Sequence, residues 1–99
     1  MAFDRGTLDT ALSAAAGEDP ALIRELRAAF IESAERQLDL LGRSRCDANW
    51  RFAAERLHGL AASFEVTDLI ALADEAGQSA PGDPYIQRKI REALTLLAV

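Results

Sequence analysis

Apolar residues recur three and four positions apart in five segments of this 99-residue chain, and glycine, proline or polar residues separate the segments. This spacing places the apolar side chains of each segment on one face of an α-helix. Alanine and leucine dominate the composition and β-branched residues are few, which favours the same secondary structure. The sequence therefore predicts an all-α fold built from five amphipathic helices.

Residues that cap helices indicate where each helix begins and ends. Asp19-Pro20 and Asp83-Pro84 both match a helix start in which Asp is the N-cap and Pro is the first helical residue. The other three helices are expected to begin at residues whose side-chain oxygen suits an N-cap, namely Thr7, Asp47 and Thr67. Glycine accepts the left-handed conformation that often follows a helix, so we expect glycines to close the first and fourth helices, at Gly17 and Gly77. The second helix is expected to run to about Gly42.

The apolar faces of these helices predict the core. Its members are Leu8, Ala11, Leu12 and Ala15 in the first helix; Ile23, Leu26, Phe30, Ala34, Leu38 and Leu41 in the second; Trp50, Ala53, Ala54, Leu57, Leu60, Ala61 and Phe64 in the third; Leu69, Leu72, Ala73 and Ala76 in the fourth; and Ile86, Ile90, Ala93, Leu94 and Leu97 in the fifth. Four longer helices with short connections predict an antiparallel up-down-up-down four-helix bundle. The short N-terminal helix would cover one end or side of it, and residues 1–99 would form a single domain.

Composition and charge exclude several classes of function. The formal net charge of −5 argues against nucleic-acid binding, which requires a basic face. A single cysteine, Cys46, excludes an internal disulfide and a cysteine-based zinc site. Neither an apolar run of about 20 residues nor a signal peptide is evident. We therefore expect a soluble, monomeric, cytoplasmic protein without a membrane segment, a bound metal or another cofactor.

The third helix has a second face that is unlike its apolar one. Residues spaced three and four apart form a continuous stripe on it: Arg51, Glu55, Gly59, Ala62 and Val66. His58 lies at the border of this stripe and Glu65 lies nearby. Glycine in the middle of a helix costs about 1 kcal/mol relative to alanine, so Gly59 suggests close approach by another chain segment. That segment belongs either to a docked protein or to a neighbouring helix of the same bundle.

The segment Ala54-Glu55-Arg56-Leu57-His58-Gly59-Leu60-Ala61-Ala62-Ser63-Phe64-Glu65-Val66-Thr67-Asp68-Leu69 resembles the core motif of histidine phosphotransfer (HPt) domains. These four-helix bundles exchange a phosphoryl group with the receiver domains of response regulators. Their motif runs Ala-His-x-Leu-Lys-Gly-Ser, followed by small residues, a hydrophobic residue, Gly-Ala and a later Leu. The positions in register are Leu57, Gly59, the small residues 61–63, Phe64 and Leu69. The helix order and the Asp47-x-x-Trp50 entry to the third helix also fit.

Three departures from the motif bear on function. Glu55 occupies the position of the phosphorylated histidine, His58 that of the lysine one turn later, and Glu65 that of a glycine. A carboxylate cannot replace imidazole as a stable phosphoryl carrier without a supporting metal site. The resemblance therefore implies a degenerate HPt domain, not an enzyme, that binds a receiver domain or a histidine kinase. Its expected binding face consists of Arg51, Glu55, His58, Gly59, Ala62, Glu65 and Val66.

Other interpretations of the same residues remain open. His58, the only histidine, would be the phosphorylated residue if the chain were an active phosphocarrier. A structural role is also possible, in which the His58 imidazole is hydrogen-bonded to Glu55 one turn back. Glu55-x-x-His58 matches one element of a di-iron site, but such sites need two of these elements and two further glutamates. A helical domain with no signalling role is a further alternative.

Overall fold

The computed structural model describes residues 5–98 and is built from five α-helices. They are α1 (Arg5–Ala16), α2 (Pro20–Arg43), α3 (Asp47–Ser63), α4 (Thr67–Gly77) and α5 (Pro84–Ala98). No β-strand is present between residues 5 and 98. The predicted all-α class and the number of helices are confirmed.

Both Asp-Pro pairs begin helices as the sequence predicts. The Asp19 carboxylate accepts hydrogen bonds from the backbone N–H groups of Ala21 (3.0 Å) and Leu22 (3.5 Å), and Pro20 is the first residue of α2. At α5, the Asp83 carboxylate accepts a bond of 2.9 Å from the backbone N–H of Tyr85. These caps satisfy N–H groups that have no partner within the helix.

Three predicted N-caps are wrong by one or more positions. Thr7 lies inside α1, which begins at Arg5. Asp47 and Thr67 are the first helical residues of α3 and α4, because the preceding carbonyls already accept helical bonds: the N–H of Trp50 donates to Cys46 (3.0 Å) and that of Ile70 to Val66 (2.9 Å). Cys46 and Val66 are therefore the N-caps, and neither forms a side-chain cap bond. The Asp47 carboxylate instead lies in the first turn of α3, where the helix dipole favours negative charge.

The two glycines that were expected to close helices behave differently. Gly17 has a φ of +60° directly after α1, which is the left-handed conformation expected of it. Gly77 is the last residue of α4 as predicted, but the residue after it, Gln78, remains right-handed with a φ of −98°. Gly77 therefore ends the helix without a left-handed cap.

All five helices contribute side chains to one hydrophobic core. Trp50 is its largest fully buried side chain, and the indole Nε1–H donates to the Ala76 carbonyl at 2.7 Å. Most of the predicted core is confirmed, but Ala15 is exposed and Ala16 is buried in its place. Five predicted core residues are only partly buried: Ala11, Ile23, Leu26, Leu60 and Phe64. Two residues that were not predicted, Ile31 and Val66, lie inside the core.

Contacts between helices set the position of α3 in the fold. It packs against α2 on one side and α4 on the other, while α5 packs against α2 and α4, and α1 packs on α2. The Arg27 guanidinium pairs with the Asp9 carboxylate and donates to the Leu97 carbonyl at 3.4 Å, which joins α1 and α5 to α2. Among the described helices, none combines the length and the apolar character that crossing a membrane requires.

Candidate functional site

The side of α3 that faces away from the core is open to solvent. Arg51, Glu55, Gly59 and Ala62 are all exposed, and we call these four residues the outer face of α3. A Cβ atom built on Gly59 would meet nothing within 4 Å. The interpretation that a neighbouring helix packs against Gly59 is therefore wrong. Gly59 and Ala62 instead leave a bare strip of helix on the C-terminal side of Glu55, and Arg51 lies one turn before Glu55.

Val66 does not belong to this surface, and its placement there is wrong. The α3 helix ends at Ser63, and the chain then turns inward so that only 1% of Val66 is exposed. The turn has the hydrogen bonds of a Schellman motif: the Val66 N–H donates to the Ala61 carbonyl at 3.0 Å and the Glu65 N–H to the Ala62 carbonyl at 3.1 Å. The buried Val66 side chain is the hydrophobic contact that usually accompanies this motif.

Glu65 is exposed as expected, but the backbone there has an unusual conformation. Its φ of +56° lies in the left-handed region, which a side chain with a Cβ disfavours and glycine accepts. The position is the one after the C-cap Phe64, where glycine is the commonest residue. The backbone at this position therefore favours glycine over the glutamate that occupies it.

His58 is hydrogen-bonded to a different partner from the one expected. Its Nδ1 lies 2.6 Å from Oδ1 of Asp74, on the facing helix α4, and the expected bond to Glu55 is not formed. The His58 side chain is 41% exposed and that of Asp74 is 55% exposed. With Nδ1 occupied by this bond, Nε2 is the ring nitrogen left for another molecule. Asp74 is the residue of this site that the sequence did not indicate.

His58, Asp74, Arg51 and Glu55 line one open groove between α3 and α4. Its volume is about 460 Å³, and Gln78 completes its polar lining. The floor consists of small residues, Ala54, Ala73 and Gly77, and the Cβ position of Gly77 is only 4.0 Å from the Ala54 Cβ atom. Because these small residues pack closely, the longer polar side chains extend beyond them and form the sides of the groove. Charges of both signs face the groove, so it suits a polar partner.

The donor atoms near Glu55 and His58 do not form a metal site in the part of the chain that the structure describes. Between residues 5 and 98, no three side chains of His, Cys, Asp or Glu lie close enough together to hold an ion. Because the Asp74 bond engages His58 on the α4 side, Glu55 and His58 do not act as a pair. Cys46 is exposed at the start of α3 with no disulfide partner.

Comparisons with protein-family models, with curated proteins and with solved structures find no match to this chain. The indications of function therefore come from the geometry of α3 and its surroundings. That geometry offers an exposed carboxylate on a bare helix, a histidine oriented by an aspartate, and no cluster of metal ligands among residues 5–98. An exposed carboxylate next to small residues is the kind of surface that protein recognition uses.

Proposed function

We propose that this chain is an HPt-like domain of a cytoplasmic two-component or phosphorelay system that no longer transfers phosphoryl groups. It binds the receiver domain of a response regulator, or a histidine kinase, through the outer face of α3 together with His58 and Glu65. In this proposal α2 to α5 form an antiparallel up-down-up-down bundle and α1 is added to it. The role is to compete for a partner or to scaffold it.

The main support is the exposed carboxylate of Glu55 on the bare strip of α3. A receiver domain that approaches a phosphohistidine needs room around that side chain, and Gly59 and Ala62 provide such room around Glu55. A fixed negative charge at Glu55 either imitates a phosphorylated histidine or repels the receiver's acidic pocket. In both cases Glu55 contributes to binding specificity and accepts no phosphoryl group.

The backbone at Glu65 is compatible with the proposed family, although Glu18 after α1 has a similar φ of +67°. The HPt motif has a glycine there, and the φ of +56° at Glu65 is a conformation that favours glycine. The proposal accordingly treats Glu65 as a later replacement on an older glycine turn.

A titration against purified receiver domains and kinase dimerisation domains tests the binding role. We expect at least one of them to bind saturably, and Gly59→Arg to weaken that binding by about tenfold or more. Glu55→Arg should weaken binding to a similar extent if the carboxylate imitates a phosphohistidine, and should strengthen it if the carboxylate repels the acidic pocket. Glu32→Arg is the matched control because Glu32 is an exposed glutamate on α2, outside the proposed face. Unchanged affinity in both α3 variants would remove the outer face from the binding site.

A second candidate function is phosphoryl transfer through His58, and the bond to Asp74 favours it. Asp74 holds the ring so that, in the tautomer with hydrogen on Nδ1, the Nε2 lone pair points away from the bond. This lone pair would attack phosphorus and form an N–P bond while the acyl-phosphate bond on the donor aspartate breaks. Intact-mass analysis after incubation with a receiver and a phosphodonor tests it. An acid-labile gain of one phosphate that is lost in His58→Ala would replace the binding proposal.

A further inference from the structure

A second groove, between α2 and α3, exposes large apolar side chains. Leu40 of α2 is 45% exposed and Phe52 of α3 is 59% exposed, and both line the same depression of about 270 Å³. Ala53 forms part of its lining, and Ser44 and Asn49 supply uncharged polar groups. Exposed apolar side chains brought together from two helices into one depression are typical of a protein-binding site.

The charge of this α2–α3 groove is opposite to that of the whole chain. Its charged lining residues are Arg43 and Arg56, and no carboxylate lines it, although the chain carries a net charge of −5. The other grooves contain carboxylates: Glu55 and Asp74 between α3 and α4, and Asp68, Glu75 and Glu92 between α4 and α5. The α2–α3 groove is thus a local positive site around exposed apolar groups.

Both arginines are placed to receive a carboxylate. The Arg56 guanidinium carbon lies 5.6 Å from the centre of the Phe52 ring, and stacking of this kind leaves the N–H groups at the guanidinium edge free to donate. Arg43 pairs with Asp39 at 2.9 Å, with side chains 75% and 58% exposed. An ion pair so exposed contributes little, and a carboxylate from a partner can replace it.

We propose that the α2–α3 groove binds an acidic segment of another protein, in which a leucine or phenylalanine is flanked by aspartate or glutamate. The apolar side chain would pack against Leu40 and Phe52, and the carboxylates would bind the two arginines. Two arginines match a few carboxylates better than the long polyanion of a nucleic acid, which the negative chain would repel. This site goes beyond the proposed function, because it lies on the α2 side of α3 and Glu55 faces the α3–α4 groove.

The probe is a fluorescently labelled peptide Glu-Asp-Leu-Glu-Asp-Phe-Glu-Asp, titrated with the whole protein and followed by anisotropy. We expect saturable binding that weakens as salt is added, because part of it is electrostatic. Phe52→Ala and Arg56→Gln should each weaken binding by about tenfold. A peptide with the acids changed to amides, or with Leu and Phe changed to Ser, should bind at least about tenfold more weakly than the probe.

Tyr85→Ala is the matched control for Phe52→Ala. Tyr85 is also 59% exposed and also has a cation above its ring, Lys89 at 5.0 Å, but it lies in the groove that contains carboxylates. Tyr85→Ala should leave peptide binding unchanged, and Glu55→Arg should not weaken peptide binding. Because Phe52 and Tyr85 are both largely exposed, Phe52→Ala and Tyr85→Ala should keep the wild-type circular dichroism spectrum, which verifies that they fold.

Several results would overturn the proposal. The first is that the acidic peptide fails to bind saturably, and the second is that the amide peptide binds equally well. The third is that Phe52→Ala and Arg56→Gln bind the acidic peptide as tightly as the wild type does. Any of these three results would rule the proposal out. Tighter binding of a single-stranded oligonucleotide than of the peptide would assign the groove to nucleic acid. Self-association in sedimentation experiments that Phe52→Ala abolishes would assign it to a second copy of this chain. If no receiver domain or kinase binds in the titration proposed above, the proposed function fails, but the peptide experiment on the α2–α3 groove still stands.

Discussion

Replacing Glu65 with glycine should stabilise the protein, although the change removes a whole side chain. The left-handed conformation at Glu65, with φ of +56°, costs an L-residue about 1–2 kcal/mol that glycine does not pay. Glycine also makes the unfolded chain more flexible, which offsets about 0.4–1 kcal/mol of that gain. The Glu65 side chain is exposed, so little packing is lost. The midpoints of these two ranges give an expected rise of about 0.8 kcal/mol in the free energy of unfolding.

Urea denaturation followed by far-ultraviolet circular dichroism measures this change directly. A gain of about 1 kcal/mol corresponds to roughly 4–8 °C in the melting temperature of a chain this size. Glu55→Gly is the matched control, because it makes the same chemical change inside α3, where glycine should cost about 0.5–1 kcal/mol. A Glu65→Gly variant that is neutral or less stable than the wild type would show that the turn is not strained as described.

Three further substitutions test individual contacts of the fold, each by urea denaturation. Trp50→Phe removes the indole that donates to the Ala76 carbonyl and leaves unfilled space, so the free energy of unfolding should fall by about 1–3 kcal/mol; no loss would mean that the bond is not formed. Asp19→Ala should cost about 1 kcal/mol, and an unchanged midpoint would exclude Asp19 as the cap of α2. Asp74→Asn should cost less than about 1 kcal/mol, because its bond to His58 is exposed, and it should shift the ¹⁵N resonance of His58 Nδ1. Unaltered imidazole ¹⁵N resonances would contradict that contact.

The helices and most of the core could be predicted because their determinants are local. An Asp-Pro pair defines a helix start within a few residues, as at Asp19 and Asp83, and apolar spacing defines the buried face. The N-caps at Cys46 and Val66 were missed because the backbone carbonyl alone can accept the first helical bond. The side chain at the N-cap position then does not indicate the helix start, and a nearby Asp or Thr is predicted as the N-cap instead.

The site was only partly predictable because its contacts depend on how α3 and α4 are placed. Helical spacing correctly put Glu55, Gly59 and Ala62 on an exposed face. The bond between His58 and Asp74 joins residues 16 positions apart on different helices, and no periodicity within one helix indicates it. Val66 was misplaced because the stripe was extended past Ser63, where the chain leaves the helix and the periodicity no longer applies.

Phosphorylation of the double variant Glu55→His, Glu65→Gly tests the central proposal most directly. The two changes introduce the histidine and the glycine of the HPt motif, the histidine on a helix face that is already exposed. Wild type and variant would each be incubated with a receiver domain and a phosphodonor, then analysed by intact mass before and after acid treatment. We predict an acid-labile gain of one phosphate in the double variant and none in the wild type. A wild-type protein that gains phosphate, or a folded double variant that binds the receiver and gains none, would contradict the proposal.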